Sequence, residues 1–369
     1  MGELKQKFIS LNQVASDNQL HKALGLKSEG ISPKSQQGMA LKNTFFGKRI
    51  LVTGGGGSIG SELIRRLAFY QPQSIAIFDI NENNSYLLYC ELKQKFESLN
   101  IKIYIGSVRD KSRVHEVFMQ EKPQIVFHTA AHKHLPLMQG CPKEAVKNNV
   151  FGTKTVIDAC EKYEVERFLL VSTDKAVNPT SVMGKSKRVC EMLMQQRAKN
   201  SNVIMCAVRF GNVFASDGSV VPIMLNQMMR GEPITVTSPD MQRYFMTITN
   251  ACDLLLVALS NAQKGCIYLL DMGKPIKIQT LVNALSQRYL VGEPKVVYIG
   301  VRDGEKITEE CSYKSEKCLP LTEQISLLKP MRFNSRKLSS YLNLLKKQIK
   351  LGANSSEVEE VLNQIISLC

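Results

Sequence analysis

From Lys48 onward, short apolar runs alternate with longer stretches in which apolar residues recur every three or four positions. The runs at 49–52, 74–79, 101–105, 124–128, 167–171 and 203–208 predict buried strands, and the stretches at 58–69, 84–98, 112–120 and 143–163 predict helices between them. Strands separated by helices of this length predict an α/β fold, a doubly wound parallel sheet with right-handed crossovers. Beyond residue 208 the alternation loosens, and Gly, Pro and turn residues gather in GNVFASDGSVVP and RGEPITVTSPD. This marks a smaller α/β lobe over 211–345, partly interleaved with the main domain at 47–210. Residues 1–46 are polar and read as an N-terminal extension, with one periodic stretch near 11–26. Residues 346–369 read as a C-terminal helical segment.

The first strand runs into ILVTGGGGSIGSELI, with Gly54, Gly57 and Gly60 at three-residue spacing. In a strand–turn–helix context, missing side chains at these positions permit a tight turn, close approach of a pyrophosphate and close packing of helix on sheet. The amide groups and positive end of the helix then face the phosphates. Thr53, Gly54, Gly57, Ser58, Ile59 and Gly60 are therefore the expected dinucleotide contacts in a Rossmann domain. Asp79 ends the second strand about twenty residues further on, where a carboxylate accepts from ribose hydroxyls and repels a 2′-phosphate, favouring NAD over NADP.

Composition adds limits. At 44% hydrophobic and 22% charged residues, the chain is ordinary globular material, and no apolar run approaches the roughly 18–20 residues of a membrane span. Neither a signal peptide nor a myristoylation signal is recognisable, so a cytoplasmic setting is expected. The ten cysteines follow no metal or disulfide spacing and read as reduced thiols. The net charge of +15 is spread rather than clustered. It points to phosphate-bearing ligands and at most weak attraction to a membrane surface, and no nucleic-acid-binding signature accompanies it. His128, His132 and His134 lie at a strand end and loop without a completing Cys or carboxylate, so no metal site is expected.

The blocks VFHTAAHKHLPLM, NNVFGT, VSTDKAVNPTSVMGKSKR, VRFGNV, RYFMTI, YLLDMG and VRDGEK together resemble the extended short-chain dehydrogenase/reductase superfamily. Within it the chain is most similar to the nucleotide-sugar 4,6-dehydratases of capsule, O-antigen and glycan synthesis, which act on UDP-N-acetylglucosamine. The resemblance covers residues 48 to about 345. It implies that Thr173 stands at the superfamily Ser/Thr position and Lys187 at the lysine position. The tyrosine position, four residues before Lys187, is Met183. A thioether carries no proton, but a subfamily with Met there and the same Thr-Asp-Lys block is what TDKAVNPTSVMG resembles. Such relatives usually have an N-terminal membrane region, which this sequence lacks.

The resemblance implies an elimination aided by a resident NAD, with Asp174 as general acid and Lys175 as general base. That base role requires a neutral amine, favoured by desolvation or nearby cations. Lys187 would hold the nicotinamide ribose and Thr173 would hydrogen-bond the sugar's oxygen 4, whose base is either water or Asp174. By the same resemblance Ser107, Val108, Ala130 and Ala131 border the cofactor. Ser107 stands where relatives often carry an adenine-contacting Asp. Lys133, His134, Asn149, Asn212, Arg243 and Arg302 line the UDP-sugar side, Asn149 also ordering the helix behind it, and Asp303 replaces the usual Pro after Arg302. Superfamily members pair through the long helices that here begin near Lys143 and Pro179, so a homodimer or higher oligomer is expected. An epimerase or reductase on a UDP-sugar, and a non-catalytic NAD or nucleotide-sugar sensor, are the alternatives.

Overall fold

Apolar β-branched runs in the first half of the chain become parallel strands. In the computed structural model, which describes residues 10–289 and 294–369, they belong to one nine-stranded sheet. Its strands are β1 (Arg49–Thr53), β2 (Ser74–Asp79), β3 (Ile101–Ile105), β4 (Ile125–His128), β5 (Arg167–Val171), β6 (Ile204–Arg209), β7 (Ile267–Leu270), β8 (Cys318–Thr322) and β9 (Ile325–Leu328). Their order is β8-β9-β7-β6-β5-β4-β1-β2-β3. β1 to β7 are parallel, and β9 and then β8 add antiparallel at one edge. The fold expected from the alternation is therefore present. β1 has β2 on one side and β4 on the other, so the chain leaves the sheet in opposite directions there. That switch point opens a crevice at the carboxyl ends of the strands.

Helices cover both faces. Lys111–Glu121, Gly152–Lys162 and Val182–Ala198 build one apolar layer with Val126, Phe168 and Met205 of the sheet. Ser58–Ala68, Glu82–Lys95 and Ile248–Ser260 build the other with Ile50, Ile77 and Phe127. A third cluster holds the smaller lobe together around Val221, Met224, Leu225, Leu281 and Val282. The extension does not stand apart. Val14, Leu20 and Leu24 bury into the third cluster and Leu41 and Phe45 into the second. Each such side chain contributes about 1.5–3 kcal/mol. Ile31 N–H also donates to Asp253, and Thr247 donates to Lys27 O, tying this segment to the Ile248–Ser260 helix and its cap.

One expectation is corrected. The single helix at 143–163 is instead Pro142–Ala145, a wider π turn at Val146–Phe151, and Gly152–Lys162. The extra residue in the π turn changes the direction of Asn149, and such insertions recur at functional sites. Val182–Ala198 is buried through Gln195 because the chain's own helices Ser335–Lys350 and Ser355–Ile366 lie against it, with Leu338, Leu342, Leu345, Val358, Val361 and Leu362 in the shared core. Lys185 pairs with Glu359 at 2.5 Å across this contact. The chain's own C-terminal helices thus cover much of Val182–Ala198. Among the described residues no helix is long and apolar enough to cross a membrane.

Candidate active site

The glycine turn joins β1 to the Ser58–Ala68 helix. Gly54 has φ +73°, and a Cβ there would come within 2.5 Å of Ala130 N, so glycine meets both a conformational and a steric demand. A Cβ on Gly60 would overlap the carbonyl oxygen of Gly54, which is the helix-to-strand approach that the third glycine allows. Gly57 caps the helix with no side-chain hydrogen bond, leaving the first-turn amides unclaimed by a cap. Asp79 pins the turn: Oδ2 accepts from Gly56 N–H at 2.8 Å and Oδ1 from Asn81 N–H at 2.7 Å. Each carboxylate oxygen retains accepting capacity. These residues fit a dinucleotide, phosphates at the open helix end and ribose at Asp79. Thr53 is buried and Ile59 half-buried, while Ser58 Oγ accepts from Asp217 N–H at 3.0 Å. Ser107 and Val108 follow β3, with Val108 packed close to Gly152, and Ala130 and Ala131 follow β4 beside the turn.

Behind that turn, His128 bridges two hydroxyls, 2.6 Å from Thr53 and 2.9 Å from Thr153. Burial, followed by the charge of Lys187, pushes its imidazole down to about 3, so it stays neutral. It is a structural bridge rather than a ligand. Asn149 accepts from His132 N–H at 2.8 Å and donates to His132 O at 3.1 Å and Ser186 Oγ at 2.9 Å. Its amide is engaged within the protein and only 1% of the residue is exposed, so it orders the 132–134 loop instead of touching substrate. That loop meets residues 215–219 across the crevice: Lys133 Nζ donates to Asp217 O at 2.5 Å, and Gly218 (φ +64°) leaves room for His134.

At the end of β5 the chain makes a short 3₁₀ turn, Asp174–Ala176, capped by Thr173. The turn sits against the start of Val182–Ala198, where a Cβ on Gly184 would overlap Lys175 O, accounting for glycine within VMGKSK. Asp174 is fully buried. Its Oδ1 accepts from Thr173 Oγ1 at 2.9 Å and from Lys175 Nζ at 3.0 Å, while Oδ2 is buried with no hydrogen-bond partner. Lys175 Nζ also donates to Asn212 Oδ1 at 3.0 Å and lies 3.8 Å from Glu309 Oε1. Of the two influences expected on Lys175, desolvation or nearby cations, the structure shows a largely buried side chain whose amine faces acceptors. Lys187 Nζ donates to Val171 O at 2.7 Å, and burial lowers its titration from the ordinary lysine range. Met183 is 4% exposed within the core and brings no hydroxyl.

Glu309 was not among the residues expected from sequence. It is 4% exposed, and its Oε2 is buried without a partner. Burial pushes its carboxyl above the usual range, opposed first by Lys175 and reinforced by Asp174. Neighbouring residues fasten its segment to the 174–181 region. Lys306 Nζ donates to Val177 O at 2.9 Å, Asn178 to Glu310 at 2.8 Å, Thr180 Oγ1 to Gly304 O at 2.9 Å and Tyr313 Oη to Ala176 O at 3.0 Å. VRDGEK ends three residues before Glu309, and no local spacing marked that carboxylate. Arg243, placed on the diphosphate side by resemblance, donates to Gln242 O and Ile307 O and faces Glu305 at 3.3 Å. Its guanidinium braces the same segment, which corrects the expectation of a free anion grip. The Arg302 side chain is exposed at the lobe surface. Thr173, Asp174, Lys175 and Asn212 thus come together, whereas Arg302 lies outside that cluster.

Comparisons agree with this architecture. The family model described as "Polysaccharide biosynthesis protein" matches residues 50–327. The capsular polysaccharide biosynthesis protein CapD of Staphylococcus aureus is 46% identical over 275 residues, 73% of this chain and 46% of CapD. The chain therefore spans about half the length of that relative. A UDP-glucose 4-epimerase of Rickettsia canadensis is 35% identical over 71% of this chain and 76% of its own length. The crystal structure of Pen from Bacillus thuringiensis superposes with a TM-score of 0.73 at 32% identity, covering 78% of this chain and 90% of Pen. With its switch-point crevice, glycine turn and Thr-Asp-Lys cluster, the chain belongs to the polysaccharide biosynthesis protein family on the short-chain dehydrogenase/reductase fold.

Proposed function

We propose that the protein is a nucleotide-sugar 4,6-dehydratase that holds NAD and converts UDP-N-acetylglucosamine to a UDP-4-keto-6-deoxy sugar for a bacterial surface polysaccharide or glycan. One observation carries this reading: the partnerless, buried Asp174 Oδ2 beside Lys175 at the end of β5. Exchange of configuration at carbon 4 needs a proton relay at oxygen 4 alone. Loss of water across carbons 5 and 6 needs an acid and a base side by side.

Bound NAD supplies the two-electron chemistry that oxidises carbon 4 and later reduces carbon 6. The side chains move the protons. Asp174 Oδ2 takes the proton of the 4-hydroxyl, while Thr173 and Lys175 occupy Oδ1 and keep Oδ2 for substrate. This supplies the base that Met183 lacks. Asp174, now a carboxylic acid, passes that proton to the departing 6-hydroxyl, which leaves as water. Lys175 takes the carbon-5 proton and returns it to the same carbon, which predicts retention there. Lys133 and Arg302 supply cationic charge for the diphosphate, and Asp79 favours NAD over its 2′-phosphorylated form.

A 4-epimerase is the second reading, favoured by the Rickettsia relative's name. Incubation with NAD and UDP-N-acetylglucosamine separates the two. A product lighter by one water, without net consumption of NAD, is expected. A product of unchanged mass with altered configuration at carbon 4 would replace the dehydratase by the epimerase.

A further inference from the structure

A base has to accept a proton, yet Lys175 donates to Asp174 and Asn212 as the structure stands. The amine can serve only after its own proton has gone elsewhere. Asp174 is a poor destination, because its free oxygen is needed for the 4-hydroxyl proton and its other oxygen is already shared between Thr173 and Lys175. Asn212 presents only an amide oxygen, which takes no proton at ordinary pH. One acceptor remains beside Lys175 Nζ: Glu309, with Oε1 at 3.8 Å and Oε2 buried without a partner. A buried, unsatisfied carboxylate oxygen is costly unless something fills it, and a proton would.

Resting on the dehydratase reading, we propose that Glu309 is a positioning residue for that reaction, the internal acceptor to which Lys175 hands its proton before it attacks carbon 5. The step balances: the Lys175 ammonium and Glu309 carboxylate become a neutral amine and a carboxylic acid. Lys175 then takes the carbon-5 proton, later gives it back to that carbon, and recovers its own proton from Glu309. No outside reagent is consumed. The Nζ–Oε1 gap lies a fraction of an ångström beyond hydrogen-bond reach, so a small side-chain adjustment closes it.

The surroundings hold both groups ready for this exchange. Asp174 and Lys175 face Glu309 from the β5 turn, Arg243 from the strand it shares with Gln242, and Lys306 and the Cys311 thiol from Glu309's own segment. Ile307 O accepts from Arg243 and from Gln242 N–H, and Glu310 and Tyr313 are tied to Asn178 and Ala176. The carboxylate is therefore fastened on both sides. Burial, which raises its titration, also makes the protonated form easier to reach.

Glu309→Gln keeps size and removes the acceptor. In that variant Lys175 must lose its proton to solvent, so kcat falls about a hundredfold near neutral pH and climbs close to tenfold per pH unit above it, while KM stays within about twofold. The full chain itself should show a flat profile over the same range, and Glu309→Asp, which retains a carboxylate, should recover much of the flatness. A Glu309→Gln profile as flat as that of the unaltered chain overturns the assignment, whether activity is intact or uniformly reduced, because a packing role would not introduce a proton to be lost. If the unaltered chain removes no water from UDP-N-acetylglucosamine, the dehydratase reading fails first and takes this role with it. A thermal melt of each variant separates loss of fold from loss of the relay.

Discussion

The glycine turn and the acid–base cluster lie at the same end of the sheet but are assembled differently. The turn is one contiguous segment, residues 53–60, pinned mainly by Asp79 from the neighbouring strand. The cluster draws Asp174 and Lys175 from the turn after β5, Asn212 from 37 residues beyond Lys175, and Glu309 from the smaller lobe. A site made by one segment binds through backbone geometry that few changes can imitate. A site made by three depends on the contacts that carry each segment in. Binding of the dinucleotide and the chemistry on the sugar should therefore be separable by mutation.

The largest effect belongs to the cluster. Lys175→Ala should lower kcat for elimination by about 10³-fold while NAD affinity stays within about twofold. Near-normal turnover would remove Lys175 from the base role. Gly60→Ala is the complementary break. Its Cβ overlaps Gly54 O, so the turn must shift, and NAD affinity should fall by about a hundredfold, equivalent to about 3 kcal/mol, as read by titration calorimetry. Unchanged affinity would mean that the turn is not the phosphate site.

His128 sharpens the comparison because it supports the turn from behind. Its folded imidazole is pushed from 6.5 down to about 3, so the unfolded chain takes up a proton below about pH 6.5 that the folded chain refuses. Its contribution to stability is full above that pH and declines as pH falls toward 3, by about 2 kcal/mol between pH 7 and 5. Urea unfolding of the unaltered chain and of His128→Gln at both pH values should show the difference between them narrowing by that amount. His21, buried against Phe214 with neither ring nitrogen partnered, shifts in the same direction but is common to both proteins. The smallest effect is expected at Arg302. The exposed guanidinium of Arg302 should affect only binding, and Arg302→Ala should raise KM for the UDP-sugar about three- to tenfold with kcat unchanged.

The same contrast explains what was readable in the chain. Periodicity located β1 to β6 and most of their helices, because these elements lie in sequence order and each buries a patterned face. It did not locate β7, β8 and β9, which owe their place to a sheet begun more than two hundred residues earlier. Nor did it distinguish the π turn around Asn149, where one extra residue per turn leaves the apolar pattern nearly unchanged. Asp174 and Lys175 were legible because they sit three and four residues past the end of a strand within a recognisable block. Glu309 was not: nothing in ITEEC indicates that the second lobe folds back until Tyr313 reaches Ala176 and Lys306 reaches Val177. Arg243 shows the opposite error, since its motif implied an anion grip and its guanidinium instead holds Ile307.

The central claim is that the electrons taken at carbon 4 of the sugar are returned at carbon 6 of the same molecule while Asp174 and Lys175 carry the protons. Substrate deuterated at carbon 4 tests it in a single experiment, read by NMR of the product. The account predicts a 4-keto sugar whose carbon-6 methyl group carries that deuterium. Deuterium remaining at carbon 4 of a product of unchanged formula would contradict it.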